Sequence, residues 1–413
     1  MANFRFLHAA DLHLDSPLIG LRQRTEAYAS RLDDASRCAF DNLIRFAIEQ
    51  GCRLVVIAGD VFDGQWRDYR TGLFFADRMR QLREAGIRTV MIAGNHDAEN
   101  KFAARLQLSD NVTLFSSRAP ESVEIKDIET VVHGRSFPQR DVRDNIALTY
   151  PRPVDGCFNV GLLHTACTGR DGHEPYAPCT VEQLQNHGFQ YWALGHVHAH
   201  EVLSTTPHIV FPGNLQGRSV REAGPKGAVL VDVVDGRVSR VEHCPLDLIR
   251  WTVQTIDVAA ASDREAVLNA VRVALEGARD AADGRGLAAR IRLVGQSALH
   301  AELKTTEAAL QEEVETLAVG AAEDIWVERL VVCTSPLQAR DGVDPSVAGR
   351  MRRCVAELAA DPWLAQKLEE RLAEIRAKLP AGAHADALIQ ALRWEAPDRA
   401  RELALAMIDR GRD

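Results

Sequence analysis

FRFLHAADLH, residues 4–13, is a short hydrophobic run that ends in Asp11 and His13. An apolar segment of this length, followed by polar residues, predicts a buried β-strand. Side chains at positions i and i+2 of an extended chain project to the same side, so Asp11 and His13 are expected to address one site. The chain therefore begins with a strand that delivers a carboxylate and an imidazole at its C-terminal end.

The same arrangement recurs four more times before residue 199. Hydrophobic runs rich in Val, Ile and Leu occupy residues 54–59, 89–94, 160–163 and 191–195. They lead, in that order, into Asp60, Asn95-His96-Asp97, His164 and His196-Val197-His198. Ligands of open α/β sheets bind at the carboxyl ends of the strands. The sequence therefore predicts that these polar residues converge on one site.

The converging residues are carboxylates, imidazoles and one amide, which form a mixed nitrogen and oxygen set suited to Mn, Fe or Zn. Two cations about 3.5–4 Å apart suit the in-line hydrolysis of a phosphoester. We expect three ligands for one metal, three for the other, and a carboxylate between them. These are Asp11, His13 and His198 for the first metal, Asn95, His164 and His196 for the second, and Asp60 as the bridge.

His96 is left over by this assignment. An unligated imidazole beside two cations can protonate the leaving oxygen, a contribution of roughly 10²–10⁴-fold. Asp63, three residues after Asp60, could orient His96 through the other ring nitrogen, and Asp97 is the rival for that role. Any one of these histidines taken alone is more often an ordinary core or surface residue. Five motifs at successive strand ends favour a catalytic site.

Together these motifs resemble the signature of the calcineurin-like metallophosphoesterases: Asp-x-His, Gly-Asp-x-x-Asp, Gly-Asn-His-Asp, the isolated His164 and Gly-His-x-His. Residues 7–15, residues 211–218 (FPGNLQGR) and Lys226-Gly227 narrow the resemblance to bacterial DNA-repair exonucleases of the SbcD and YhaO type. Residues 211–218 and 172–178 are more similar to the YhaO type, since the corresponding SbcD segment usually reads Ser-Gly-Ser.

The resemblance implies an α/β fold, a calcineurin-like β-sandwich flanked by helices. It also implies cleavage of DNA from an end with two divalent metal ions, Mn²⁺ first, with Fe²⁺ or Zn²⁺ as alternatives. Such nucleases typically act as homodimers with an SbcC-like coiled-coil ATPase. The net charge of −9 argues against nonspecific coating of nucleic acid, but local cations can hold DNA at a cleft. Arg67, Arg70 and Arg218 are the candidate DNA-binding residues.

The chemistry-bearing histidines lie in the first part of the chain, and three regions are expected. Residues 1–245 form the metallophosphoesterase domain, with helices near 31–49 and 69–85 and a hairpin through Asp235-Gly236. Residues 246–335, in β-α-β-α-β order, form a small α+β capping domain. Residues 336–413 form a helical C-terminal region that either docks a partner or packs on its own protein. The 69–85 helix is either core or a dimer contact.

Composition is that of a soluble globular protein, with 46% apolar and 26% charged residues. No apolar run approaches the ~20 residues that span a bilayer, and no secretory signal precedes the first strand. We expect a cytoplasmic enzyme without a membrane partner. The leading hypothesis is a DNA exonuclease of double-strand-break repair. Its alternatives are a phosphodiesterase or nucleotide hydrolase acting on small phosphoesters, and a scaffold that tethers DNA ends.

Overall fold

The computed structural model describes most of the chain. Described are residues 3–21, 34–64, 69–99, 106–167, 176–322, 324–337, 347–359, 361–378, 388–389, 392–393, 397, 399–401, 403–405 and 407–408. The chain divides into two compact units. The first unit comprises Met1–Thr252 with Ala282–Ala288, and the second comprises Val253–Ala281 with Ala289–Asp413.

Two six-stranded sheets form the first unit. Their strands are β1 (Phe4–Ala9), β2 (Leu54–Ala58), β3 (Arg88–Ile92), β4 (Val112–Leu114), β5 (Glu121–Ile125), β6 (Thr130–Gly134), β7 (Phe158–His164), β8 (Tyr191–Gly195), β9 (Glu201–Thr205), β10 (His208–Phe211), β11 (Gly227–Val234) and β12 (Arg237–Pro245). One sheet has the order β12-β11-β1-β2-β3-β4 and the other β5-β6-β7-β8-β10-β9.

Each sheet has a parallel centre. Strands β1 to β4 run parallel to one another, and β11 and β12 close that sheet as an antiparallel hairpin. Strands β6, β7, β8 and β10 are parallel, with β5 and β9 antiparallel at the edges. The predicted hairpin through Asp235-Gly236 is confirmed. The parallel centres matter for function because they bring several carboxyl ends to the same edge.

The two sheets pack face to face through alternating apolar side chains. On β2, Leu54 and Val56 enter a core shared with Val160 and Leu162 of β7, whereas residues 55 and 57 face the other way. This alternation follows from the two-residue repeat of a strand. The central strands are apolar on both faces because each sheet is covered by its partner on one face and by helices on the other.

In the described part of the first unit, three α-helices cover the outer faces of the sandwich: α1 (Ala35–Glu49), α2 (Arg70–Glu84) and α3 (Val181–His187). The buried face of α2 presents Phe75, Met79 and Leu82 to the core beside Phe40 and Leu43 of α1. The predicted core face of the 69–85 helix is therefore confirmed. Sandwich and helices together confirm the expected calcineurin-like α/β architecture.

The chain from Ile249 onward alternates strands and helices in the predicted order. Its elements are β13 (Ile249–Asp257), α4 (Arg264–Ala281), β14 (Gly286–Val294), β15 (Gln296–Ser297), α5 (His300–Thr305), α6 (Glu307–Ala321), β16 (Ile325–Val332), β17 (Ser335–Pro336), α7 (Val347–Ala359) and α8 (Pro362–Lys378). Strands β13, β14 and β16 form one sheet. The C-terminal region is helical, as expected, and the division at residues 245 and 335 stays a prediction.

Candidate metal centre

Five strands of the first unit end at one place. Asp11 and Asp60 follow β1 and β2, Asn95 follows β3, His164 is the last residue of β7, and His196 follows β8. All five side chains are buried. The contributing strands belong to both sheets, so the site lies where the carboxyl edges of the two sheets meet. The structure therefore brings together the residues that the sequence predicted to converge.

Four of the predicted ligands adopt a left-handed backbone that side chains other than glycine rarely take. The φ angles are 51° for Asp11, 42° for His13, 52° for Asp60 and 99° for His196. Each such residue costs on the order of 1–3 kcal/mol and persists where surrounding structure holds it. The Asp11 and His13 amides are held by the carbonyls of Gly59 and Asp60, at 3.0 and 3.1 Å. Strain concentrated at these positions is typical of a functional site.

Three glycines allow the backbones at this edge of the sheets to pack closely. A Cβ atom at Gly94 would lie 2.2 Å from Asp60 Oδ1, and one at Gly59 would lie 2.5 Å from His164 Nδ1. At Gly195 the same atom would lie 2.0 Å from the carbonyl oxygen of Ala58. The glycine before Asp60, Asn95 and His196 in each motif is therefore required by the close approach of three backbones.

The first predicted ligand cluster comprises Asp11, His13 and His198. The Nε2 atoms of His13 and His198 lie 3.3 Å apart, and His198 Nε2 lies 3.9 Å from Asp11 Oδ1. The other ring nitrogen of each histidine faces a carboxylate: His198 Nδ1 lies 2.8 Å from Glu222, and His13 Nδ1 lies 3.4 Å from Asp63. Because a carboxylate only accepts, the contact with Glu222 leaves the Nε2 lone pair of His198 facing His13 Nε2, a place where a cation shared by the two rings would be stabilised.

A second cluster surrounds His164. Its Nδ1 lies 2.9 Å from the carbonyl oxygen of Ala58, so Nδ1 carries the proton. Its Nε2 faces two further oxygens, Asn95 Oδ1 at 2.8 Å and Asp60 Oδ2 at 3.5 Å. The ring of His196 lies 5.3 Å from that of His164, centre to centre. In a neutral His164, the lone pair on Nε2 would therefore face two oxygen acceptors. A cation bound between these three atoms would remove the repulsion.

Asp60 lies between the two clusters. Its Oδ2 is 3.5 Å from His164 Nε2 and 3.9 Å from His13 Nε2, while Oδ1 accepts the His96 amide at 2.9 Å. Burial opposes ionisation, but His164 and His13 hold the pKa of Asp60 well below its usual range. Burial also opposes protonation of His164, yet Asp60 and Asp11 raise its pKa to about 9. The site attracts positive charge, so its donor set fits two divalent cations.

His96 lies beside this centre and contacts Asp63 rather than Asp97. Its Nδ1 is 3.0 Å from Asp63 Oδ1, and the other oxygen of Asp63 accepts from Ser16 at 3.0 Å. Asp97 instead accepts the amides of residues 61, 62 and 94 at 2.9–3.1 Å and ties two loops together. The geometry favours Asp63 as the partner of His96. Since His96 also brings a donor atom within 4.8 Å of His13 and Asp60, a ligand role stays an alternative.

A cavity of about 560 Å³ opens onto the centre. Asp60, Asn95, His96, His196 and His198 line it on the side of the ligand clusters. Four cationic side chains share the rest of its lining with one carboxylate, Glu222: Arg140, Arg218, Arg221 and Lys226. The volume is that of a small-ligand site. Arg218, a predicted DNA-binding residue, is among the residues that line this cavity, and its role stays a prediction. Arg70 is the first residue of α2 and is exposed to solvent. It is not among the described residues that line this cavity. Arg67 lies outside the described residues.

Sequence reasoning missed Glu222 and Arg140. Glu222 bonds to the predicted ligand His198, and Arg140 belongs to a loop before β7. A signal for Glu222 exists in retrospect, because it stands four residues after Arg218 and pairs with it. No pattern marks Arg140, which follows Pro138-Gln139 in a segment without periodicity.

Comparison with known proteins agrees with this geometry. Residues 4–200 match the family model described as calcineurin-like phosphoesterase, and residues 251–335 match that of the metallophosphoesterase YhaO middle domain. The chain is 32% identical over 357 residues to the "Uncharacterized metallophosphoesterase YhaO" of Bacillus subtilis, an alignment covering 84% of this chain and 86% of that one. The chain belongs to the calcineurin-like metallophosphoesterases. It is therefore a metal-dependent phosphoesterase, a hydrolase.

More distant relatives of this metallophosphoesterase are named as DNA double-strand break repair protein Mre11. The protein from Methanopyrus kandleri is 28% identical over 212 residues, covering 47% of this chain and 44% of its own. That from Sulfurisphaera tokodaii is 23% identical over 270 residues, covering 62% and 66%. The match thus spans less than half of the Methanopyrus protein. In the described part of the chain, no helix has the length and apolar character needed to cross a membrane.

Proposed function

We propose that this metallophosphoesterase is a two-metal-dependent DNA exonuclease that hydrolyses phosphodiester bonds at DNA ends, in double-strand-break repair. The observation that carries the proposal is the wall of Arg140, Arg218, Arg221 and Lys226 beside the two ligand clusters. Several cations around one catalytic centre suit a substrate with more than one phosphate. The naming of two relatives as double-strand break repair proteins supports the same choice.

In this proposal seven side chains hold the metals. Asp11, His13 and His198 would hold one metal, Asn95, His164 and His196 would hold the other, and both would share Asp60. Manganese is the expected ion, because mixed imidazole and carboxylate sets suit it, with iron or zinc as alternatives. When bound, a pair of divalent cations supplies positive charge for the phosphate oxygens and a nucleophile at neutral pH.

The protein's own residues position the rest of the reaction. Protonated His96 presents Nε2–H to the leaving oxygen, while its Nδ1 stays fixed on Asp63 at 3.0 Å. Arg218 lies on the cavity wall 3.9 Å from Asp63 and is positioned to hold a non-scissile phosphate.

A second candidate is a phosphodiesterase acting on small phosphoesters, which a cavity of about 560 Å³ also fits. One assay separates the two: Mn²⁺-dependent degradation of an end-labelled linear duplex, compared with a closed circle and a chromogenic diester. We expect faster cleavage of the linear duplex, declining steeply with salt. Equal rates on the circle, or a preference for the small diester that salt leaves unchanged, would contradict the exonuclease proposal.

We propose a homodimer formed through α1 and α2 of the first unit. Ile48, Tyr69 and Leu73 are exposed apolar residues on or beside these helices, with exposed fractions of 41%, 60% and 65%. Exposed apolar side chains on two neighbouring helices suit a protein interface. Leu73→Asp is expected to convert the dimer to a monomer in sedimentation velocity. A wild-type monomer would remove the proposal.

We propose further that residues 246–335 act as a capping domain for DNA and that the helical C-terminal region docks an SbcC-like ATPase. Helix α8 leaves Trp363, Leu364 and Ile375 at least 40% exposed, which suits a helix that binds a partner. Trp363→Glu should weaken binding of a purified SbcC-like ATPase and leave diester hydrolysis unchanged. Undiminished binding would contradict the docking role. A cytoplasmic location stays a prediction.

A further inference from the structure

His198 is held in place by a segment that lies outside the five motifs. This segment, residues 212–226, begins with the PGNLQGR sequence that distinguishes the chain from the SbcD type. Lys226 Nζ donates to the His198 carbonyl at 2.6 Å, and the Asn214 amide approaches the same oxygen at 3.4 Å. Gly213 has a φ angle of 80° and packs closely against the same residue, because a Cβ atom at Gly213 would lie 3.1 Å from the carbonyl oxygen of His198.

The ring of His198 is held by Glu222. Its Nδ1 lies 2.8 Å from Glu222 Oε1. Arg218 Nη2 also lies 3.2 Å from this nitrogen, but it has Glu222 Oε1 as an acceptor at the same distance. Because a carboxylate has no proton to give, the shorter contact with Glu222 has His198 donate from Nδ1, which leaves the lone pair on Nε2. That lone pair points into the cluster, with His13 Nε2 at 3.3 Å and Asp11 Oδ1 at 3.9 Å. The bond to Glu222 thus selects both the tautomer and the direction of the ring.

Glu222 is itself fixed by its neighbours. Its Oε2 accepts from Asn214 Nδ2 at 2.9 Å and from the Arg218 amide at 2.7 Å. Arg218 Nη2 lies 3.2 Å from Oε1, the oxygen that His198 also uses. The side chain is only 14% exposed. A carboxylate with this many donors has one stable position, so it can define the position of an imidazole.

We propose that Glu222 is a positioning residue that orients His198 as a metal ligand. The inference rests on the proposed metal site and names the residue that prepares one half of it. Asn214 and Arg218 support Glu222 in turn, which gives the 212–226 segment a function in metal binding. A carboxylate behind a ligating imidazole typically contributes 10–100-fold in metal affinity or activity.

The rival explanation is that Glu222 merely stabilises its own loop, and a double-mutant cycle separates the two. Mn²⁺ binding to the full chain is measured by titration calorimetry for wild type, Glu222→Gln, His198→Ala and the double variant. We expect Glu222→Gln to weaken one of two binding steps by roughly 10–100-fold. In the His198→Ala background the same substitution should have no further effect.

Glu242→Gln is the matched control, because Glu242 is an exposed carboxylate on β12 that pairs with Arg240. It should bind Mn²⁺ as wild type does. If Glu222→Gln fails to fold in thermal melts without metal, Glu222→Asp keeps the charge and withdraws the carboxylate from His198, with the same weakening expected.

Wild-type affinity in the Glu222 variants would overturn the inference, and so would an equal loss in the His198→Ala background. A wild-type chain that binds fewer than two Mn²⁺ ions, or a His198→Ala variant that loses none, would instead remove the proposed site and the inference with it.

Discussion

The two compact units bury polar groups in different ways. The first unit buries Asp11, His13, Asp60 and His164 at the ends of strands from two sheets. In the described part of the second unit, the buried polar side chains are Ser297, His300, Lys304 and Thr334. His300 there is paired locally, with its Nδ1 3.0 Å from Thr334 Oγ1.

This contrast distinguishes the unit that carries the candidate catalytic site from the unit whose buried residues form an ordinary core. Buried carboxylates and imidazoles cost free energy unless they are paired or bind metals, so a cluster of them at strained backbone positions indicates a functional site. The helices and strands of the second unit bury Val271, Leu275, Leu310 and Val314, as an ordinary core does. Substitutions in the first unit should therefore change metal content or rate, and those in the second should change stability or partner binding.

The largest effect is expected from Asp60→Ala. Both ligand clusters use this carboxylate, so the variant should lose both metals and at least on the order of 10²–10³-fold in phosphodiester hydrolysis. Metal content by atomic emission and hydrolysis of a chromogenic diester measure the two losses. A variant that hydrolyses at the wild-type rate would refute the bridging role.

Gly94→Ala should come close to this effect although it removes no ligand. The added methyl group would lie 2.2 Å from Asp60 Oδ1 and 2.8 Å from the Asp60 amide, so the carboxylate must move.

Gly277→Ala is the control in the second unit, since a Cβ atom there meets nothing within 4 Å. It lies in α4, where alanine should stabilise by roughly 0.5–1 kcal/mol. Metal content and melting temperature are measured for both. Full metal binding in Gly94→Ala would contradict the close-packing account.

His96→Ala should lose rate and keep metal. Without the proton donor we expect a drop of roughly 10²–10⁴-fold in kcat on a diester with a poor leaving group. The drop should shrink with a nitrophenyl leaving group, which departs without protonation. Metal content is measured in parallel. A variant that loses a metal ion would identify His96 as a ligand.

The smallest effect on hydrolysis is expected from deleting residues 340–413. Described contacts of this region, such as Arg393 with Glu369 and Arg399 with Glu307, lie within the second unit. Hydrolysis of a chromogenic diester should persist, while association with an ATPase subunit weakens. Loss of diester hydrolysis in a folded truncation would make the region part of the enzyme's core.

The sequence predicted the strands that carry the polar residues of the site because burial on both faces leaves continuous apolar runs, as in residues 54–58 and 191–195. It did not predict β6 or β10, whose ends carry none of the five motifs, nor the edge strands β4, β5 and β9. Val112–Leu114 has three residues, and Glu121–Ile125 and Glu201–Thr205 are edge strands with little burial, so their composition carries no clear pattern. Such strands form because the neighbouring strand offers hydrogen bonds.

Within the site, pairwise contacts between distant residues could not be predicted. Asp11 and His13 do reach one cluster, as predicted, but they lie beyond β1 in left-handed conformation and not on an extended strand, so the i, i+2 argument does not explain their approach. Glu222 meets His198 only through the turn at Pro212-Gly213. From the sequence, both Asp63 and Asp97 were candidates to orient His96. Only the folded loops separate them, because Asp97 satisfies three backbone amides instead.

The left-handed residues at positions 11, 13, 60 and 196 carry a consequence for protein engineering. Glycine adopts those φ angles without penalty, so replacing a strained aspartate or histidine with glycine relieves the backbone and removes a desolvated polar group. A screen for heat resistance, run without divalent cations, would therefore enrich glycine at these positions. The most thermostable variants from such a screen would lack metal ligands and so lack hydrolytic activity. Selection for thermal stability alone would therefore not yield a more stable active enzyme.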